Sequence, residues 1–113
     1  MQFLIIGKDE KDEKAMERRM AVREAHITLG DKMEALGERW YGCAILDDDE
    51  KMIGSMAMLD FPSEKELQEY LKREPYITGK VWKTVEVSKC NVKRPWKFNR
   101  PQSFFEDKLK NSK

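Results

Sequence analysis

The residues best suited to chemistry gather in one short stretch, RRMAVREAH at 18–26. It holds His26, the single histidine of the sequence, with Arg19 and Arg23 seven and three residues before it. An imidazole gains and loses its proton near neutral pH, which suits it to general acid or base work. Guanidinium groups grip carboxylates through paired hydrogen bonds, so two arginines beside a histidine favour a small anionic ligand over a neutral one. A helix histidine satisfied by backbone or water is the commoner case. The choice turns on which way this stretch faces.

Glu74, in REPYITG, is the second candidate. An acid at the end of a helix can orient an imidazole and stabilise its charged form, as the third member of a catalytic triad does. Spacing alone does not bring Glu74 to His26. Ser55, beside Gly54, offers a hydroxyl to a ligand, but no nucleophile-elbow pattern surrounds it. The aspartates at 47–49 lack the alternate spacing, glycine and distant glutamate of a calcium loop, so they read as a solvated turn. Cys43 and Cys90 have no CxxC spacing and no second histidine to complete a metal set. Two reduced, partly buried thiols and no metal are expected. With no glycine-rich phosphate loop and no flavin fingerprint, no cofactor is expected either.

A chain of 113 residues suits one domain. Its 22 basic and 21 acidic side chains leave a formal charge of +1, which removes the electrostatic argument for a nucleic-acid partner or an anionic membrane surface. The opening MQFLIIGKDE meets charge too early for a signal peptide, and no run approaches the roughly 20 apolar residues of a membrane span. A cytoplasmic protein is the expectation.

The elements that must position these residues follow from the apolar pattern. QFLIIG, residues 2–7, reads as a buried strand closed by glycine. A helix is predicted over 13–36, because Ala15, Arg19, Val22, His26, Leu29, Met33 and Leu36 recur at spacings of four and three and share one face. Gly37 stops it. Two strands, 39–46 and 52–61, make a hairpin across DDDEK. Gly54 inside the second predicts a bulge or a close approach. Ser63 and Glu66 form a capping-box pattern before a second helix with Leu67, Tyr70 and Leu71 on its apolar side. That helix ends before Pro75. After a turn at Gly79 a last strand spans 81–88, with Val81, Val85 and Val87 on one side. A polar tail, 99–113, carries Phe104 and Phe105.

The order is β-α-β-β-α-β, an α+β ferredoxin-like pattern. Right-handed crossovers put both helices on one face of a four-stranded antiparallel sheet and leave the other uncovered. Met52, Met56 and Met58 alternate with Ile53, Ala57 and Leu59, so both faces are apolar. An uncovered apolar face demands a partner, and a homodimer packed sheet to sheet is predicted.

RRMAVREAH, IGSMAMLDF, EPYITG and NVKRPWKF, in that order and with the opening strand, resemble the YCII-related family of dimeric α+β barrel proteins over residues 1–98. The resemblance implies a ferredoxin-like protomer that dimerises through its sheet. It also implies an active site with a histidine–acid pair, falling on His26 and Glu74. This chain departs from the family's Asp-Pro-aromatic turn in carrying the longer glutamate. Arg23, Ser55 and Tyr76 fall at positions edging the same cleft. Relatives include dehydrochlorinase-type and lactone-processing enzymes of aromatic degradation. The implied activity is therefore proton transfer, of lyase or isomerase type, on a small anionic substrate, cyclic ones included. The alternative is a non-catalytic dimeric module that binds a metabolite or another protein, with Phe104 and Phe105 as the feature to inspect.

Overall fold

Alternating burial along QFLIIGKD builds the central strand β1, Gln2–Asp9. A computed structural model describes residues 1–111 of the chain. Helix α1 (Ala15–Ala35), strands β2 (Arg39–Leu46) and β3 (Met52–Asp60), helices α2 (Glu64–Arg73) and α3 (Pro75–Thr78) and strand β4 (Trp82–Cys90) follow. A 3-10 turn at Pro95–Lys97 and helix α4 (Gln102–Asn111) end the described chain. The sheet is antiparallel throughout, in the order β2-β3-β1-β4. This is the ferredoxin-like arrangement expected.

Phe3, Ile5 and Leu59 from the sheet, with Phe61 just past β3, pack against Met33 of α1 and Leu67 and Tyr70 of α2. Leu59 is wholly buried in this core. A second cluster, Tyr76, Val81 and Trp82, lies against Val22 and Val85 beside the active-site candidates. The α1 stripe faces inward from Arg19 to Met33, but Leu36 falls past the helix end and is exposed. Gly37 takes φ 75° there, and the Glu38 N–H reaches back to the Met33 carbonyl at 2.8 Å, closing the helix.

Several local expectations change. The first strand runs past Gly7 to Asp9, and this brings Asp9 under α1. The left-handed residue after α3 is Lys80 (φ 57°), not Gly79, where a Cβ would press on the Pro75 carbonyl. Ser63 donates to the Glu66 carboxylate and makes no side-chain bond to the helix backbone, so the expected capping box is replaced by a side chain–side chain bond. Pairing of β2 with β3 skips Ile53, between Leu46↔Met52 and Ile45↔Gly54. The bulge turns Met52 away from Met56 and Met58 and towards Arg19, whose Nη2 lies 3.5 Å from its sulfur. A Cβ on Gly54 would sit 2.5 Å from the Gly7 carbonyl, the close approach its position suggested. A matching skip at Lys83 in the β1–β4 pairing puts Trp82 with Val85 on the helix side, whereas Val87 is exposed.

The face away from the helices carries Leu4, Ile6, Met56, Met58, Tyr41, Cys43 and Ile45, with Thr84, Glu86 and Ser88 along β4. Cys43 is more exposed than expected, and Cys90 is half-buried. No described helix is long and apolar enough to cross a membrane. Asp47 turns the β2–β3 hairpin by accepting the N–H groups of Asp49 and Lys51 at 2.9 and 3.0 Å. The polar tail contains α4, supported by a Gln102–Glu106 bond at 2.6 Å and by Phe98, Phe104 and Phe105 packing edge to face.

Candidate active site

Pro75 positions the acid. It forces Glu74 into an extended conformation (φ −65°, ψ 117°), ends α2, and starts α3 at its first position. The chain bends there, and the Glu74 carboxylate points into the protein, 2 % exposed. Oε2 accepts the Tyr70 hydroxyl at 2.9 Å, and Oε1 accepts the Tyr76 N–H at 3.1 Å. Oε1 also pairs with His26 Nδ1. The two residues whose meeting spacing left open are therefore in direct contact. Glu74 is fixed by groups on its own backbone segment before it meets the imidazole.

The imidazole is held on its faces as well as its edge. Its ring stacks on Tyr76, centroids 3.7 Å apart and 5° from parallel, with Trp82 edge-on at 6.1 Å. Because Nδ1 is engaged, Nε2 is the atom left for a substrate, and the His26 side chain is 23 % exposed. A carboxylate on one nitrogen fixes which nitrogen presents to a ligand.

His26 opens onto a cleft of about 230 Å³ between α1 and the β2–β3 half of the sheet. Arg19, Arg23, Arg39, Ser55 and Tyr76 share its walls. Among the described residues no carboxylate lines it, so four cationic or protonatable groups face a space without an acid. Glu74 supports the cleft from behind. Arg19 is buried, with its guanidinium paired to Asp9 and its carbon centre 4.9 Å from the Tyr76 ring centroid. Burial pushes the Asp9 carboxyl above its ordinary range, against the pull of Arg19. Burial likewise raises the Tyr76 phenol. Arg23 is exposed at the mouth and makes no ion pair among the described residues.

Sequence reasoning named six residues, and five of them line the cleft while the sixth, Glu74, orders His26. It missed Arg39, Asp9, Tyr70 and Trp82. Tyr70 at i−4 from Glu74 on a helix was a readable signal. The others depend on strand register and bulges, which no local pattern encodes.

The one-sided helices and the antiparallel sheet define a ferredoxin-like α+β domain, with the His–Glu pair beneath a cationic cleft. The chain belongs to the YCII-related domain family, whose model matches residues 1–96. Its fold is similar to that of 5-chloro-2-hydroxyhydroquinone dehydrochlorinase, TftG, from Burkholderia phenoliruptrix AC1100, solved with 2,5-dihydroxybenzoquinone. The two are 21 % identical, with a TM-score of 0.69 over 83 % of this chain and 97 % of that one. A dimeric ferredoxin-like protein of unknown function from Jannaschia sp. CCS1 is similar at 11 % identity and a TM-score of 0.51, over 80 % of this chain and 98 % of that one. The chain matches no curated protein.

Proposed function

We propose that the cleft is the active site of a small-molecule lyase or isomerase in which His26 moves a proton. The observation that carries this reading is the His26–Glu74 contact, with Nδ1 held by a buried carboxylate and Nε2 left to the cleft. Glu74 orients the ring and balances the charge it gains on taking a proton. Arg23 supplies positive potential, and Arg19, paired to Asp9, shapes the walls with Ser55 and Tyr76 around a small anionic, ring-sized substrate. No step in this scheme calls for a cofactor.

The similarity to a dehydrochlorinase suggests an elimination as the first chemistry to test. In it a proton leaves the substrate for Nε2, the bonding electrons it leaves behind expel chloride, and HCl is lost with no external oxidant. The purified protein is expected to release chloride from 5-chloro-2-hydroxyhydroquinone, and His26→Ala to slow release by at least about a hundredfold. Release by His26→Ala at the wild-type rate sinks the mechanism. The non-catalytic alternative predicts binding without turnover. Nothing in the Phe98–Phe104–Phe105 cluster favours a protein partner over it.

Residues 1–98 form the functional domain in this reading, and 99–113 an appendage. Two copies join through the open sheet face, where Leu4, Ile6, Met56 and Met58 stand side by side. Light scattering should give twice the protomer mass of 13.4 kDa. A monomer rejects the dimer.

A further inference from the structure

Resting on the reading of the cleft as a ligand site, we infer that Arg39 is the residue that anchors the substrate's anionic group. Its guanidinium lies in a slot cut by two glycines from different elements. A Cβ on Gly30 of α1 would sit 2.6 Å from Arg39 Nη1, and one on Gly42 of β2 would overlap Nη2. Glycine in a helix interior costs about 1 kcal/mol relative to alanine, and in a strand it forfeits packing. Both losses fall at the same side chain, and both serve to let a planar cation lie flat between helix and sheet.

What the guanidinium does there is set by its partners. Its one ion pair among the described residues is Glu34, at 3.5 Å, the limit of a hydrogen bond, and the Glu34 side chain is half exposed. Arg19 is different, since its charge is already met by Asp9. Arg39 therefore reaches the cleft with its position fixed and most of its five donors unspent. Arg23, exposed at the mouth, draws anions in but holds none in a fixed geometry. A fork held in place before the ligand arrives loses little entropy on binding, and paired donors suit a carboxylate or the adjacent oxygens of an ionised hydroxyquinone.

Titration with 2,5-dihydroxybenzoquinone, followed by its absorbance, tests this. Arg39→Met should weaken binding about tenfold to a hundredfold, the scale of a charge-assisted hydrogen bond. Gly42→Ala keeps the charge but evicts the guanidinium from its slot, and should weaken binding by a similar factor. Arg39→Lys, a point charge without the fork, should recover only part of the loss. Glu34→Gln should stay within about twofold of wild type, as expected for a weak exposed pair. Thermal midpoints accompany each titration. If Arg39→Met or Arg39→Lys lowers the midpoint yet binds within twofold of wild type, Arg39 is a packing residue and the inference falls. In that case the role of His26 stands, provided His26→Ala still abolishes chloride release. A wild-type protein that does not bind the probe overturns both.

Discussion

Helix α1 presents two acid-paired side chains, Arg19 and His26, to the same tyrosine, two turns apart, and the pairs are built on opposite principles. At the His26–Glu74 pair the acid is saturated, since Tyr70, the Tyr76 N–H and the imidazole take up both oxygens. At the Arg19–Asp9 pair Asp9 Oδ1 and Arg19 Nε are buried with no partner among the described residues. A saturated carboxylate is rigid, and rigidity is what an orienting group requires. The second pair leaves polar atoms short of bonds and is an incompletely bonded neutralisation of a buried cation. Its position under Tyr76 assigns it to holding the site's floor, whereas the first pair is available for chemistry.

The largest expected effect separates the two in kinetics. Glu74→Gln keeps the size and the hydrogen-bonding edge but removes the charge behind His26. It should lower kcat about a hundredfold or more with KM nearly unchanged, while unfolding free energy falls by only about 1 kcal/mol. Steady-state rates and urea melts measured on one preparation give both numbers. Were the stability loss to match the kinetic loss, Glu74 would be no different in kind from Asp9.

Next in size is the reverse pattern at the other pair. Asp9→Ala strands Arg19, 5 % exposed, as an uncompensated buried charge and should cost about 3–5 kcal/mol. Adding Arg19→Met should restore most of that stability, because replacing a buried pair by an apolar side chain is often neutral. A double variant no more stable than Asp9→Ala would show that the two are not energetically coupled.

What the sequence made legible divides along the same line. The fold follows from periods of two and 3.6 and from glycine and proline stops, and these are local. His26 was legible because a helical register fixes its direction within a few residues, whereas its pairing with Glu74, 48 residues away, came only from the family resemblance. Asp9 and Met52 were not, since β1 outruns the glycine that looked like its end, and the bulge at Ile53 turns Met52 to the other face. Arg39 was read only as the start of a strand. Its slot depends on Gly30 and Gly42, twelve residues apart and joined only by the packing of α1 on β2.

A smaller effect comes from the phenols. Burial raises the Tyr70 hydroxyl well above its usual value of 10, the nearby Glu74 charge adding to it, and burial also raises Tyr76. The unfolded chain releases these protons near pH 10 while the folded chain keeps them, so their contribution to stability is lost as pH rises above 10. For Tyr70 the slope is about 1.4 kcal/mol per pH unit in that window. Tyr70→Phe should remove that slope from alkaline urea melts. An unchanged slope would mean that Tyr70 is not shielded, and the saturated half of the comparison would lose a bond.

The smallest effect belongs to a third pair on the same helix, Arg18 with Asp12, where a bidentate contact lies open to solvent. The Arg18 hydrogen bond is the main cause that lowers the Asp12 carboxyl to about 2, from an ordinary 3.8. A depressed acid lends its stability above pH 3.8 and loses it as pH falls through 2. Solvent screens that contribution to little, so the readout is titration and not melting. Carbon-detected NMR should find the Asp12 midpoint near 2, returning towards 3.8 in Arg18→Gln. Added salt should move Asp12 and leave the Asp9 titration where it is, because screening reaches exposed charges far more than buried ones. Equal salt sensitivity at both would remove the burial on which the contrast between the pairs of α1 depends.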